Sequence, residues 1–69
     1  MSQTGNELEL ARRYRNFAEE LRIIAADTRS ADNRKTLVKL AADYEKMAAN
    51  FEAIDVTNKA LWKARQKLR

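Results

Sequence analysis

The string Tyr14-x-x-Phe17-Ala18-x-x-Leu21-x-x-Ile24 returns thirty positions later as Tyr44-x-x-Met47-Ala48-x-x-Phe51-x-x-Ile54, and Leu10-Ala11 returns as Leu40-Ala41. Within each copy the apolar residues alternate spacings of four and three, which gathers them on one stripe of an α-helix and is incompatible with the strict alternation of a half-buried strand. Two similar amphipathic helices follow. Each must bury its stripe against something, because an isolated helix owes most of its stability to the packing of that face.

In the first helix the stripe is Leu10, Tyr14, Phe17, Leu21 and Ile24, accompanied by Ala11, Ala18 and Ala25 at seven-residue intervals. Side chains that small let a second helix come close. Two starts suit this helix, Thr4 followed by Glu7 or Asn6 followed by Glu9, each pairing a capping acceptor with an acid three residues on. The helix is expected over 6–29. In the segment Arg29-Ser30-Ala31-Asp32-Asn33, Ser30 or Asp32 can cap a new helix, and a link this short favours antiparallel neighbours. The second helix, expected over 31–55, carries Leu37, Leu40, Tyr44, Met47, Phe51 and Ile54 with Ala41 and Ala48 beside them. Folding about the link brings Tyr44 near Phe17 and Phe51 near Leu10, and Arg34 with Asp27 and Asp43 is placed to tie the helices near the turn.

Residues 56–69 then form a basic helical extension for which two conformations are open. If the second helix runs on, Trp62 falls in phase with Tyr44 and Phe51 and, with Leu61, meets another subunit. If Asp55-Val56-Thr57-Asn58 breaks it, Thr57 caps a third helix that folds back. The expected class is therefore all-α: an antiparallel helical hairpin with a long or bent second helix that dimerises into a four-helix bundle, with a three-helix bundle as the alternative. The continuous helix is favoured, since none of the four residues is a strong breaker.

A chain of 69 residues buries only about 60% of its unfolded surface and is marginal as a monomer. With no cysteine, histidine or proline, it has neither disulfides nor a zinc site to help, and oligomerisation is the remaining source of stability. The interface expected for a homodimer comprises Leu10, Tyr14, Phe17, Leu21, Ile24, Leu37, Leu40, Tyr44, Met47, Phe51, Ile54, Leu61 and Trp62. No apolar run approaches the length of a membrane span, and the first residues lack the basic start and apolar stretch of a secretory signal. A cytoplasmic location is expected, with a membrane-surface role ranked low.

Two strings, Ala18-Glu19-Glu20-Leu21-Arg22-x-Ile24-Ala25 and Asp43-Tyr44-Glu45-x-Met47-Ala48, resemble those of short alphaproteobacterial helical-hairpin proteins that carry no assigned activity. The resemblance spans about residues 11 to 54. It implies a helical hairpin and a bacterial cytoplasmic origin; it implies no reaction, ligand or site residue.

Without histidine or cysteine the usual general base, thiol nucleophile and soft metal ligands are missing, so the chain reads as non-enzymatic, with no cofactor and no metal. Charge supplies the remaining clue. Residues 1–55 hold nine Lys/Arg against ten Asp/Glu, whereas residues 56–69 hold five cations and no acid, so the net +4 belongs to the tail. Lys59, Lys63, Arg65, Lys67 and Arg69 are the candidate contacts to nucleic acid, and equally suit the C-terminal end of a helix dipole. The leading reading is an oligomerising protein-interaction module, with a nucleic-acid-binding regulator second.

Overall fold

A computed structural model describes residues 6–67. Two helices account for nearly all of it: α1, Asn6–Asp27, and α2, Ala31–Lys67. Among the described residues there is no strand. Glu7 and Glu9 lie in the first turn of α1, where acids complement the exposed amides. Thr4, one of the two expected caps, lies outside the described residues.

α1 ends at Asp27, two residues earlier than its heptad pattern suggests. Thr28 closes it, with its amide donating to the Ala25 carbonyl at 3.1 Å and its hydroxyl to the Ile24 carbonyl at 2.8 Å. α2 is then started by Ser30. Its Oγ accepts from the Asn33 amide at 3.2 Å and its carbonyl accepts from the Arg34 amide at 2.9 Å, so Ser30, rather than Asp32, is the cap. The Arg34 guanidinium reaches back and donates to the Thr28 carbonyl from Nε at 3.3 Å and Nη2 at 3.0 Å. Arg34 thus ties the turn through a backbone oxygen rather than through Asp27 or Asp43. No described residue adopts a positive φ, so this reversal has no need of glycine.

Antiparallel packing follows from two cross-helix ion pairs, Arg15 with Glu52 and Arg22 with Glu45, in which position rises along α1 as it falls along α2. α2 runs unbroken through Asp55, Val56, Thr57 and Asn58. The fold-back into a third helix, with Thr57 as its cap, is therefore not the structure over the described residues. Of this segment Asp55 is 4% exposed and continues the column of Ala41 and Ala48, Asn58 is half-buried, and Val56 and Thr57 are exposed. Beyond half-buried Asn58, residues 59–67 are exposed throughout.

The core is made of alanine. Among the described residues the buried hydrophobic ones are Ala11, Ala18 and Ala25 on α1 and Ala41 and Ala48 on α2, and no large side chain is fully buried. This corrects the expectation that the large apolar stripes form the buried seam. A methyl group at every seventh position on both helices permits close approach of the backbones, toward the short end of the usual spacing of about 8–10 Å, and the larger groups lie to the side of this column. The described structure is one layer of two helices, 60 × 18 × 12 Å, with a radius of gyration of 16.8 Å. A compact chain of this length would have about 11 Å.

Candidate interaction surface

Labelling the buried column a in the usual seven-residue notation assigns every face of the hairpin. Position a holds Ala11, Ala18, Ala25, Ala41, Ala48 and Asp55; position d holds Tyr14, Leu21, Leu37, Tyr44 and Phe51, all half-buried. The two positions that flank this seam are chemically opposite. Position e, on the a side, holds Arg15 and Arg22 on α1 and Glu45 and Glu52 on α2, with Leu8 at one end of the row, beside Lys59, and Val38 at the other. Position g, on the d side, holds Leu10, Phe17 and Ile24 on α1 and Leu40, Met47, Ile54 and Leu61 on α2.

On the e side the charges are paired. Arg15 grips Glu52 through two hydrogen bonds, Nη2 to Oε1 at 2.6 Å and Nε to Oε2 at 3.1 Å, and Arg22 Nη1 donates to Glu45 Oε2 at 2.7 Å. These hydrogen bonds, aided by the opposite charge and opposed by partial desolvation, hold both glutamates below the usual carboxylate range and raise both arginines further. Nothing in the sequence taken one helix at a time singles these four residues out. The signal was present: arginines seven apart on one helix and glutamates seven apart on the other form complementary columns, but their pairing requires the register.

The opposite side is apolar. Tyr14 stacks between Tyr44 and Phe51, with ring centroids 5.6 Å apart in both pairs, and Phe17 leans on Tyr14 at 6.0 Å and on Tyr44 at 5.8 Å. This aromatic cluster joins the helices, including the expected meeting of Phe17 with Tyr44; Phe51 rests on Tyr14. Flanking it, Phe17, Ile24, Leu40, Met47, Ile54 and Leu61 remain between 41% and 60% exposed, and a shallow groove opens among Phe17, Leu21, Ile24 and Tyr44. Of the thirteen residues expected to join two subunits, five thus belong to the hairpin's own seam at d, and seven, Leu10 among them, line the g stripes. Trp62 stands apart, 60% exposed, at the a position one heptad beyond Asp55, where the helix projects.

The polar features at this end of the molecule were not foreseen. Asp55 sits in the alanine column and is partnered by Lys59 Nζ at 3.0 Å. Glu7 is half-buried and its Oε1 is buried without a hydrogen-bond partner. Of the five candidate cations, Lys59 is engaged with Asp55, Lys63, Arg65 and Lys67 are exposed, and Arg69 lies outside the described residues. At about 100° per residue Lys59, Lys63 and Lys67 fall on one line of the projecting helix. No helix among the described residues is long and apolar enough to cross a membrane.

Comparison with protein-family profiles, with curated proteins and with solved structures finds no match for this chain.

Proposed function

We propose that the chain is a non-enzymatic interaction module that associates with a second copy through the d/g face to form a four-helix bundle, and presents the outer surfaces of that bundle to another protein. One observation carries this reading: the hairpin is a single layer whose buried core is alanine, while six large apolar side chains on one face remain 41% to 60% exposed. Stable domains need two packed layers around a core, and contiguous exposed apolar surface of this kind marks an interaction site. On the other face Leu8 and Val38 are exposed too, but the paired arginines and glutamates stand between them, so they form no continuous stripe.

The test is the concentration dependence of thermal unfolding, comparing the wild type with Met47→Asp. Met47 is 41% exposed on the apolar face, outside the alanine column and the aromatic cluster, so the substitution spares the hairpin's own seam. For an associating chain the wild-type midpoint rises with concentration, and Met47→Asp lowers the midpoint most where the wild type is fully associated. A midpoint independent of concentration, together with an unaffected Met47→Asp variant, would refute the reading.

A second reading is favoured by the aligned lysines Lys59, Lys63 and Lys67 on the projecting helix, which suit a polyanion such as nucleic acid. Its readout is binding of duplex or single-stranded DNA that weakens with salt by a slope of about −0.9 per phosphate neutralised and is lost when these lysines become glutamine.

A further inference from the structure

Beyond Asn58 the seam face of α2 runs on without α1 to cover it, and its chemistry changes there. The column passes from Ala41 and Ala48 through Asp55 to Trp62, which is 60% exposed. An indole is too large for the close helix approach that alanine permits in the seam. The stretch 59–67 also carries Lys59, Lys63, Arg65 and Lys67 with no acid, so the projection of a second copy would meet like charge here. Leu61 and Trp62 are its only large apolar residues, too small an apolar face to hold a helix at a lipid surface. A lone helix is convex and offers no pocket for an apolar side chain of a partner. An anionic partner with a flat face to set against one ring satisfies all of these constraints.

The neighbours of Trp62 match such a partner. Three residues of α-helix turn the chain by about 300° and advance it by about 4.5 Å, so Lys59 and Arg65 stand about 60° to either side of Trp62, one before it and one after it along the axis. Residues at this spacing are neighbours on a helix surface. At the four-residue spacing stand two amides, Asn58 and Gln66. Lys59 gives one N–H of its ammonium to Asp55 at 3.0 Å while 66% of its side chain is exposed, which leaves its other donors for a second anion. Lys63 and Lys67, farther round the helix, add attraction at longer range. A nucleoside within a strand has the complementary composition, a planar base with a phosphate on either side. In a duplex the faces of that base are covered by its neighbours; in a single strand they are open to an aromatic side chain. We infer that the projecting end of α2 binds single-stranded nucleic acid, with one base stacked on Trp62 and the flanking phosphates on Lys59 and Arg65. This rests on the polyanion reading above and adds the form of the strand and the residue that selects it.

Trp62 is the only tryptophan of the chain, so its fluorescence reports on this ring alone. The full chain is titrated with a short oligothymidylate, with a duplex of equal length, and with poly-glutamate as a polyanion without bases. Binding is read from Trp62 fluorescence and from the anisotropy of a dye on each probe. Oligothymidylate is expected to quench Trp62, with an affinity that falls with salt at a slope of about −0.7 per phosphate engaged. Trp62→Ala should weaken oligothymidylate binding at least about fivefold, the low end of what one stacked base contributes, and leave duplex binding within about twofold. Trp62→Phe keeps a ring and should retain most of the affinity. Position 62 lies beyond the packed seam, so both variants stay helical, which circular dichroism verifies. Oligothymidylate that binds without quenching, or that loses no more affinity than duplex when the ring is removed, overturns the stacking and leaves the polyanion reading standing. Poly-glutamate bound as tightly as oligothymidylate overturns it in favour of an acidic polypeptide. Absence of binding to either nucleic acid overturns both readings.

Discussion

Replacing Ala18 by Leu separates the alanine seam from the apolar stripe by the sign of its effect. Ala18 is 0% exposed, as is Ala48 on the other helix. Were there room, the three added carbons would stabilise by about 0.8 kcal/mol each. A column that holds only methyl groups has no such room, and overpacking a closed core costs about 1–3 kcal/mol. Forcing the helices apart also loosens the stacking of Tyr14 on Tyr44 and Phe51, where each aromatic pair contributes about 0.5–1.5 kcal/mol beyond its buried area. The net expectation is a loss of about 2–4 kcal/mol, equivalent to a fall in Tm of some 10–25 °C for a chain of this size. Thermal unfolding by circular dichroism at fixed protein concentration reads it directly. Ala49→Leu is the control, one residue along and exposed, where a change within about 0.5 kcal/mol is expected. An Ala18→Leu protein as stable as the wild type would show that the helices are not in close contact along this column.

Three further outcomes follow from individual side chains. Asp55→Ala extends the buried alanine column and removes a carboxylate from it at the loss of one exposed partner, Lys59; urea unfolding should show a gain of about 0.5–2 kcal/mol, and a clear loss would mean that the buried ion pair sustains the seam. Because their hydrogen-bonded arginines depress Glu45 and Glu52, the unfolded chain takes up these protons more readily than the folded one: their stabilisation is full above the ordinary carboxylate value of about 4.3 and is lost as pH falls through the lower folded values. Glu45→Gln with Glu52→Gln should flatten the fall in stability as pH drops through and below the ordinary carboxylate range, and an unchanged profile would exclude these pairs as its source. Phe51→Ala, acting inside the hairpin, should lower stability by a similar amount at every protein concentration relative to wild type, in contrast to Met47→Asp; dissociation without loss of helix stability would place Phe51 in the intermolecular contact instead.

The doubled heptad made two helices and their antiparallel return legible and narrowed the cap of α2 to Ser30 or Asp32, because each rests on local chemistry; the choice of Ser30 needed the structure. The unbroken course of α2 was legible for the same reason, since nothing in Asp55-Val56-Thr57-Asn58 stops a helix. Which column is buried was not. Side-chain size argues for placing Phe17, Ile24, Met47 and Ile54 inside, yet the close approach that Ala11, Ala18 and Ala25 permit with Ala41 and Ala48 leaves no volume between the helices for them. The column of small residues was visible in the sequence as a neighbour of the seam; that it is the seam depends on both helices carrying it in register. Pairing of Arg15 with Glu52 and Arg22 with Glu45, across 37 and 23 positions, likewise requires the register.

Sedimentation equilibrium of the intact wild-type chain addresses the claim on which the functional account depends, that this hairpin is half of a bundle. The face that both helices share, about 33 Å long over the 22 residues of α1 and 18 Å wide, is roughly 600 Å² per copy, at the lower end of specific interfaces, and association in the micromolar range, about −8 kcal/mol, is the expectation. The expected result is a mass of twice 8.0 kDa at tens of micromolar, with dissociation and loss of helix on dilution. A fully helical species of 8.0 kDa across that concentration range would contradict it.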